Sequence, residues 1–471
     1  MKRRDFFKGT SLAFLGTTLL NPFDSLAGVI DLNGSQKGKR AKNIIFLVSD
    51  GMSIGTLNMA SMLLQRKEGR QSNWLSLYEQ NKVKRALMDT ASANALVTDS
   101  AAASSSWGGG VRVPNGSLNV NADGSENTPI WQKFKKAGKA AGCVTTVPIT
   151  HATPAGFCVA SKSRNGQEEI ALKYLDLGFD VMMGGGTEYF SADKRKDKKD
   201  VFKLYEQKGY KVIRDRKGLQ ALSAAHKSPT LGVFYENSLP YSLDRANDSD
   251  LREQVPTLAE MTTQAISILS KNNNGFVLQV EAGKVDWAAH ANDTGALLYD
   301  QIAFDDAIKV AMEFAERDND TLVIVTTDHG NANPGLFYGS KANANFESIH
   351  EFKHTNVWIL AGVDKNFSAA SFIEKIKEAQ GIVIKKEEAL SILKHYETLD
   401  EEGLYNPKKL PFKHLASVQT DYTSIGWGSM THSGDYVELA MFGPGSELLK
   451  PFVKNTELHN LMLEAAGVLK A

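Results

Sequence analysis

The chain has 471 residues, of which 42% are hydrophobic and 23% are charged, as is ordinary for a folded globular protein. A chain of this length can bury one large core with insertions, or it can form two domains. Lysine plus arginine and aspartate plus glutamate both number 54, so the net charge gives no indication of a nucleic-acid-binding module or of an acidic membrane partner.

The N-terminal segment has the layout of an export signal. Lys2-Arg3-Arg4 precedes an apolar stretch, Ser11 to Leu20, that is too short to span a bilayer, and Ser25-Leu26-Ala27 offers small residues to a signal peptidase. The paired arginines resemble a twin-arginine signal, so we expect residues 1–27 to be removed and the protein to be periplasmic or secreted. A Sec-type signal and an uncleaved anchor are the alternatives. Residues 28–42 would form a short lead, and no transmembrane segment is expected in the mature chain.

From Asn43 onward, short apolar runs alternate with amphipathic stretches, as βαβ units require. Runs of this kind are typical of strands buried on both faces, and they predict an α/β fold with a large, mostly parallel central sheet flanked by helices on both faces. Three of the runs lead into a carboxylate: residues 43–49 into Asp50, residues 276–280 into Glu281, and residues 321–327 into Asp328. Because the carboxyl ends of parallel strands share one edge, these acids are expected to converge, and bound cations would relieve their repulsion.

Two more strands are predicted between these runs. Residues 141–148 form an inner strand that leads into Thr150-His151-Ala152-Thr153-Pro154, and residues 179–183 form a strand that three glycines end. Cys143 and Cys158 lie in apolar, strand-like surroundings, where buried thiols are expected. An exported protein could form one disulfide bond between them, but a single bond cannot hold together a chain of this size.

The second half of the chain adds a helix and an insertion. Pro256 to Met261 predicts the start of a helix, with proline at its beginning and an acid in its first turn. Residues 335–427 break the alternating rhythm with mixed polar helix and loop. We expect them to form a lid- or crown-like insertion in a single α/β domain over residues 43–471.

Residues 281–290 are the sharpest metal-binding pattern. If Asp286 lies near the start of a helix, Asp286 and His290 share one face and can hold one zinc ion, with a position left for substrate or water. An Asp-x-x-x-His pair alone is more often a surface pair, but the strand that ends at Glu281 favours a metal site. Asp328-His329 directly follows another buried strand, whereas His432 is an isolated, weaker candidate.

Ser100 is the candidate nucleophile. It lies in Thr98-Asp99-Ser100-Ala101 and would stand at a helix N-terminus, where free N–H groups and the helix dipole favour an alkoxide or a phosphate. The alternative is an ordinary serine that caps the helix.

Six motifs, taken in order, resemble those of the alkaline phosphatases over residues 43–444. They are Asp50-Gly51-Met52, Thr98-Asp99-Ser100-Ala101, His151-Ala152-Thr153-Pro154-Ala155, Glu281 to His290, Thr327-Asp328-His329-Gly330 and Thr431-His432-Ser433-Gly434. The resemblance implies a metal-dependent hydrolase of small-molecule phosphate monoesters, with two Zn²⁺ and one Mg²⁺ per chain and a homodimeric state.

The resemblance also implies a role for each matching residue. Ser100 would become phosphoserine, and Arg164 would clamp two phosphoryl oxygens with its guanidinium fork. The implied metal ligands are Asp286, His290 and His432 for one zinc, Asp50, Asp328 and His329 with Ser100 for the other, and Asp50, Thr153 and Glu281 for magnesium. Metal coordination activates a serine hydroxyl, and two zincs can stabilise the attacking and leaving oxygens of an in-line displacement.

Two positions depart from the best-studied bacterial members of that family. This chain has His151 where they carry aspartate, and Trp287 where they carry lysine. His151 would lie near magnesium or form a polar wall, and Trp287 would cover the phosphate pocket or pack in the core. Losing the lysine charge is expected to weaken phosphate binding.

Three alternatives have the same general chemistry. A sulfatase requires a modified residue in a Cys/Ser-x-Pro-x-Arg context, whereas Ser100 is followed by three alanines. Phosphodiesterases commonly use threonine as nucleophile and lack an arginine matching Arg164, and a metal-dependent phosphomutase could share the scaffold. A protein that only binds phosphate or metal would need no serine beside the ligands.

Overall fold

A ten-stranded sheet lies at the centre of the computed structural model, which describes residues 39–468. Apolar side chains fill the strands at its middle, and all seven residues of the first strand are buried. The strands of the described chain are β1 (Asn43–Ser49), β2 (Lys84–Asp89), β3 (Ala140–Pro148), β4 (Val181–Gly185), β5 (Lys211–Ile213), β6 (Thr230–Val233), β7 (Phe276–Ala282), β8 (Thr321–Thr326), β9 (Gly330–Asn331), β10 (Gly335–Leu336), β11 (Ile425–Gly426), β12 (His432–Ser433), β13 (Val437–Phe442) and β14 (Phe452–Lys454).

The order of strands in the sheet is β14-β2-β13-β8-β1-β7-β3-β4-β6-β5. Neighbours run parallel except beside β13, which is antiparallel to both β2 and β8. β1 lies between β7 and β8, and Val48 pairs with Glu281 on one side and Thr326 on the other. The prediction of a large, mostly parallel sheet is confirmed.

Helices cover the sheet on both faces. The α-helices of the described chain are α1 (Ile54–Glu68), α2 (Asn73–Glu79), α3 (Ser100–Gly109), α4 (Ile130–Lys136), α5 (Ala152–Cys158), α6 (Gln167–Leu177), α7 (Val201–Gln207), α8 (Arg216–Gln220), α9 (Ser242–Asn247), α10 (Ser249–Gln254), α11 (Leu258–Leu269), α12 (Lys284–His290), α13 (Thr294–Asp318), α14 (Ala342–Glu347), α15 (Asn356–Leu360), α16 (Ala369–Gln380), α17 (Lys386–Leu393), α18 (Phe412–Thr423) and α19 (Glu457–Ala465).

Successive side chains of a strand point to opposite faces, so each face of the sheet has its own core. Phe46 and Val48 of β1 pack in a core with residues of α3 to α7 and α19. Ile45 and Leu47 pack on the other face with residues of α2, α11, α12 and α13. Burial on both faces explains why the inner strands are continuously apolar.

A third apolar cluster lies in residues 335–427, the predicted insertion. This segment begins and ends at a two-stranded ladder, in which Leu336 of β10 pairs with Ile425 of β11. Its buried side chains, such as Phe372, pack together with Met59 of α1. The insertion therefore shares its core with the α/β scaffold, and its role as a lid or crown stays a prediction.

One predicted strand end was wrong. The glycines at 184–186 were expected to end the strand as a turn, but Gly184 and Gly185 belong to β4. A side chain at Gly184 would lie 2.7 Å from Ile149 Cγ2 and 2.9 Å from the Thr145 carbonyl oxygen. Glycine is present there because β3 and the loop after it approach the strand closely.

Cys143 and Cys158 are free and buried, as the sequence indicated. The predicted signal peptide, residues 1–27, lies outside the described residues, and its cleavage stays a prediction. Across residues 39–468 we find no helix with the length and apolar character needed to cross a lipid bilayer.

The N-terminus of α11 gives a stability prediction. Thr257 Oγ1 accepts a hydrogen bond from the Glu260 amide at 3.1 Å, and Glu260 Oε2 accepts one from the Thr257 amide at 2.9 Å. Thr257→Ala removes this capping box, so we expect the free energy of unfolding in urea to fall by about 1 kcal/mol. Thr263→Ala, at an exposed site on the same helix, should change it by less than about 0.5 kcal/mol. Equal losses in both variants would contradict the capping argument.

Candidate metal and active centre

Three carboxylates lie together at the carboxyl ends of neighbouring strands. Asp50 follows β1, Glu281 lies near the end of β7, and Asp328 follows β8 by two residues. All three residues are fully buried. The parallel register fixes this arrangement, because it aligns the three strand ends at one edge of the sheet.

A first cluster consists of Asp286, His290 and His432. Asp286 and His290 lie one turn apart on α12, and His290 Nε2 lies 3.4 Å from Asp286 Oδ2. His432 Nε2 lies 3.5 Å from Asp286 Oδ1 and 3.1 Å from His290 Nε2. The short ladder between β9 and β12 brings His432 to α12 from 142 residues further along the chain.

A second cluster consists of Asp50, Asp328 and His329, with Ser100 beside it. His329 Nε2 lies 3.2 Å from Asp328 Oδ2 and 3.5 Å from Asp50 Oδ1. Ser100 Oγ lies 3.3 Å from His329 Nε2 and 3.4 Å from Asp50 Oδ1. The rings of His329 and His432 stack with centroids 3.7 Å apart, so the two clusters adjoin.

A third cluster lies on the other side of Asp50. Ligand atoms of Asp50, His151 and Glu281 lie within 4.8 Å of one another. Thr153 Oγ1 donates to Asp50 Oδ2 at 3.3 Å, and Thr145 Oγ1 donates a hydrogen bond to Glu281 Oε2. Thr153 therefore lies beside Asp50 in this cluster, and Thr145 is a neighbour that no sequence motif indicated.

The histidines present lone pairs to the clusters. His290 Nδ1 and His432 Nδ1 each lie 2.8 Å from a backbone carbonyl oxygen, and His329 Nδ1 lies 3.3 Å from the Gly330 oxygen. A carbonyl oxygen only accepts, so each Nδ1 carries a proton and donates, and Nε2 is the nitrogen that faces the clusters. This tautomer is the one that zinc binding requires.

Several carboxylate oxygens of the three clusters are buried and have no hydrogen-bond partner in the described part of the chain. Within residues 39–468, Asp286 Oδ2, Asp328 Oδ2 and Glu281 Oε1 are buried without a hydrogen-bond partner. Burial raises the pKa of Glu281 to about 8 and that of Asp328 to about 6. Burial and the neighbouring Asp328 also raise the pKa of Asp50 well above its usual value. Oxygen and imidazole ligands with such unmet charge fit divalent cations.

Glycine and asparagine support the first two clusters. Gly51 has a φ of 68°, and its amide donates to Asp328 Oδ1 at 3.0 Å. A Cβ at Gly51 would lie 2.9 Å from the Asp286 Cα, so only glycine fits at this position. Asn331 Nδ2 donates to Asp286 Oδ1 at 2.7 Å and orients that carboxylate.

Arg164 is fixed beside Ser100 by contacts from two directions. Arg164 Nη1 lies 3.0 Å from Oδ2 of Asp99, the residue that caps α3. Arg164 Nη2 donates to His151 Nε2 at 3.1 Å and to the Tyr405 hydroxyl at 3.4 Å. Burial and Arg164 lower the pKa of His151 to about 3, so its imidazole is neutral and accepts this hydrogen bond.

Tyr405 is a second site neighbour that the sequence analysis did not predict. It belongs to the insertion, 241 residues after Arg164, and no motif surrounds it. Its ring stacks on Trp287 with centroids 4.3 Å apart and an interplanar angle of 21°. Trp287 is 9% exposed; it packs in the apolar core on one face of the sheet and also lines a cavity beside the site.

Comparisons with known proteins agree with this geometry. The family model for alkaline phosphatase matches residues 41–468. Alkaline phosphatase 3 of Bacillus subtilis is 30% identical over 474 residues, covering 94% of each chain.

Solved structures give the same result. The alkaline phosphatase of Thermus thermophilus is 32% identical, with a TM-score of 0.85 and 92% of each chain covered. A histidine-to-aspartate mutant of the TAB5 alkaline phosphatase, solved with Mg bound in its M3 site, is 25% identical; the TM-score is 0.64, and the match covers 91% of this chain and 99% of that one. The chain therefore belongs to the alkaline phosphatase family.

Proposed function

We propose that this chain hydrolyses phosphate monoesters to inorganic phosphate and an alcohol, with Ser100 as the residue that carries the phosphoryl group. The observation that supports this most directly is the position of Ser100 Oγ, 3.3 Å from His329 Nε2 and 3.4 Å from Asp50 Oδ1. A serine that merely capped α3 would need no metal-ligand set beside its hydroxyl. Here the capping acceptor is Asp99, which leaves Ser100 free for chemistry.

The chain's own groups prepare the transfer of the phosphoryl group. Ser100 is the first residue of α3, where backbone N–H groups without helical acceptors and the helix dipole favour bound phosphate. Asp99 and His151 hold the Arg164 guanidinium, which can contact two phosphoryl oxygens. Ser100 attacks phosphorus, the alcohol leaves on the opposite side, and water then attacks the phosphoserine and releases phosphate.

We assign two Zn²⁺ and one Mg²⁺ to the three clusters. The first cluster and the second cluster combine imidazole and carboxylate donors, which suit zinc. Zinc held there would supply a Lewis acid that activates the Ser100 hydroxyl and offsets phosphoryl charge. The third cluster offers carboxylate and hydroxyl oxygens from Asp50, Glu281 and Thr153, which suit magnesium. Bound magnesium in a mutant of the TAB5 relative supports this assignment.

We also propose export to the periplasm or the medium. The support is the basic and apolar layout of residues 2–27, which resembles a twin-arginine signal. Export of an already folded chain suits a protein whose metal ligands come from both ends of its sequence.

A homodimer is the proposed assembly, and an apolar patch supports it. Ile54, Leu87, Tyr436 and Phe452 are 64%, 43%, 61% and 47% exposed. Leu87 pairs with Phe452 across the edge of the sheet, the Tyr436 and Phe452 rings lie 5.0 Å apart, and Ile54, Leu87 and Tyr436 line one groove. A contiguous exposed apolar patch of this kind marks an interaction surface.

The first prediction from this proposal concerns the nucleophile. Ser100→Ala removes the attacking oxygen, so kcat/KM for p-nitrophenyl phosphate should fall by roughly a thousandfold or more with zinc and magnesium present. Ser106→Ala is the matched control, because Ser106 is a buried serine of the same helix whose hydroxyl donates only to the Ala102 carbonyl among the described residues. Full activity of Ser100→Ala, or of the wild type after chelation of its metals, would overturn the proposal.

The second prediction concerns His151. Since His151 Nε2 accepts from Arg164, the proton lies on Nδ1, and an N–H group cannot bind a cation. His151→Asp supplies a carboxylate oxygen instead, and we expect the Kd for Mg²⁺ to fall by about tenfold in a calorimetric titration. His151→Asn, which supplies an uncharged oxygen, should give a smaller gain. An unchanged Kd in His151→Asp would show that His151 lies outside the magnesium site.

The third prediction concerns assembly. Tyr436→Glu combined with Phe452→Glu places two charges in the apolar patch, and light scattering should then show a monomer where the wild type is a dimer. Leu390→Glu, at a site that is 51% exposed on α17, should leave the dimer intact. A wild-type monomer, or a dimer that survives both charges, would refute this interface.

A further inference from the structure

A cavity of about 480 Å³ adjoins the first cluster. The α/β scaffold forms one side of it, and the insertion forms the other. Its volume lies in the range of small-molecule sites. Six aromatic side chains line it: Tyr235, Tyr241, Trp287, Trp358, Tyr405 and Phe412.

The reaction geometry directs the alcohol of the substrate toward this cavity. In an in-line displacement the leaving oxygen departs on the side of phosphorus opposite the nucleophile. Ser100 lies beside the second cluster, in contact with His329, whereas His290 of the first cluster lines the cavity. An ester bound at both clusters therefore points its alcohol past His290 and into the aromatic space.

Tyr405 joins the phosphoryl site to the cavity. Its hydroxyl lies 3.4 Å from Arg164 Nη2, and its ring lies 5.7 Å from the His290 ring in an edge-on arrangement. The rings of Tyr405 and Trp287 stack on each other, and both residues line the cavity together with His290. A planar group attached to the leaving oxygen can pack against such rings face-on or edge-on.

Lys284, a lysine that lines the cavity, already has partners within the protein. Lys284 Nζ donates to Ser238 Oγ at 3.1 Å and lies 3.5 Å from the centre of the Tyr241 ring. The carboxylates of Glu236 and Asp244 also belong to the lining, and they in turn are paired with Lys194 and with Thr355. The aromatic side chains of the lining are therefore the groups that can select the alcohol portion of a substrate.

We propose that this cavity binds the alcohol portion of the ester and selects alcohols that carry an aromatic ring. This inference rests on the proposed phosphomonoesterase function. It assigns a substrate class to a site whose metal and phosphate contacts do not distinguish one alcohol from another.

The test compares 3-phenylpropyl phosphate with propyl phosphate on the metal-loaded mature enzyme. Both leaving groups are primary alkanols of similar acidity, so a difference in kcat/KM reports binding of the ring. We expect kcat/KM to be at least about tenfold higher for the phenylpropyl ester. The non-hydrolysable 3-phenylpropylphosphonate should bind more tightly than propylphosphonate by a similar factor in calorimetry.

Two substitutions in the cavity lining and one matched control test whether the preference for the phenylpropyl ester arises in the cavity. Trp358→Ala and Leu404→Ala shorten lining side chains of the insertion, and each should reduce the preference for the phenylpropyl ester by about threefold or more. Leu390→Ala makes the same change in the same insertion at similar exposure, 51% against 54% for Leu404, and should leave the preference unchanged.

The outcomes separate this inference from the proposed function. Hydrolysis of both esters with equal kcat/KM, together with equal phosphonate affinities, would overturn the cavity assignment and leave the phosphomonoesterase intact. If neither ester is hydrolysed, the proposed phosphomonoesterase function is wrong. The comparison of the two phosphonates would still decide whether the cavity binds aromatic groups. A preference that Leu390→Ala reduces as much as Leu404→Ala would also count against the cavity.

Discussion

Asp50, Glu281 and Asp328 are buried side by side at the ends of three neighbouring strands, and much of the molecule compensates for their charge. Like charges this close cannot all remain ionised in a dry interior, as the raised pKa values of Glu281 and Asp328 reflect. The rigid inner sheet keeps the strand ends together, and α12 and the β9–β12 ladder bring histidines with free lone pairs to them. Cations held by these carboxylates would offset the charge of a phosphoryl group, and this would make the centre suitable for phosphoryl transfer.

The sequence predicted the parts of the sheet that have the strongest pattern. β1, β7 and β8 are buried on both faces, so their apolar runs are continuous and easily found. The outer strand β2 alternates between exposed and buried residues over Lys84–Asp89, and no strand was predicted there. β13 is antiparallel to its neighbours, a property that depends on how the chain returns to the sheet rather than on its local pattern.

Some residues of the candidate site could be predicted from the sequence, and others could not. Ser100 and the proposed metal ligands lie in ordered motifs, Arg164 follows one of these motifs, and the structure brings these residues together. Tyr405 lies in an irregular loop with a φ of 62°, and its contact with Arg164 depends on the fold of the whole insertion. His151 left two alternatives open in the sequence, and in the structure it borders both Asp50 and Arg164. A contact that depends on tertiary packing, such as the one between Tyr405 and Arg164, cannot be predicted from a local pattern in a single sequence.

His432 lies on β12, which pairs with β9 late in the chain. A nascent polypeptide that has not yet reached this residue holds Asp286 and His290 without their third partner. High-affinity binding of the zinc proposed for the first cluster would therefore await synthesis of nearly the whole protein. Products that end before His432 would lack the third donor of the first cluster, so zinc content would distinguish finished molecules from such fragments.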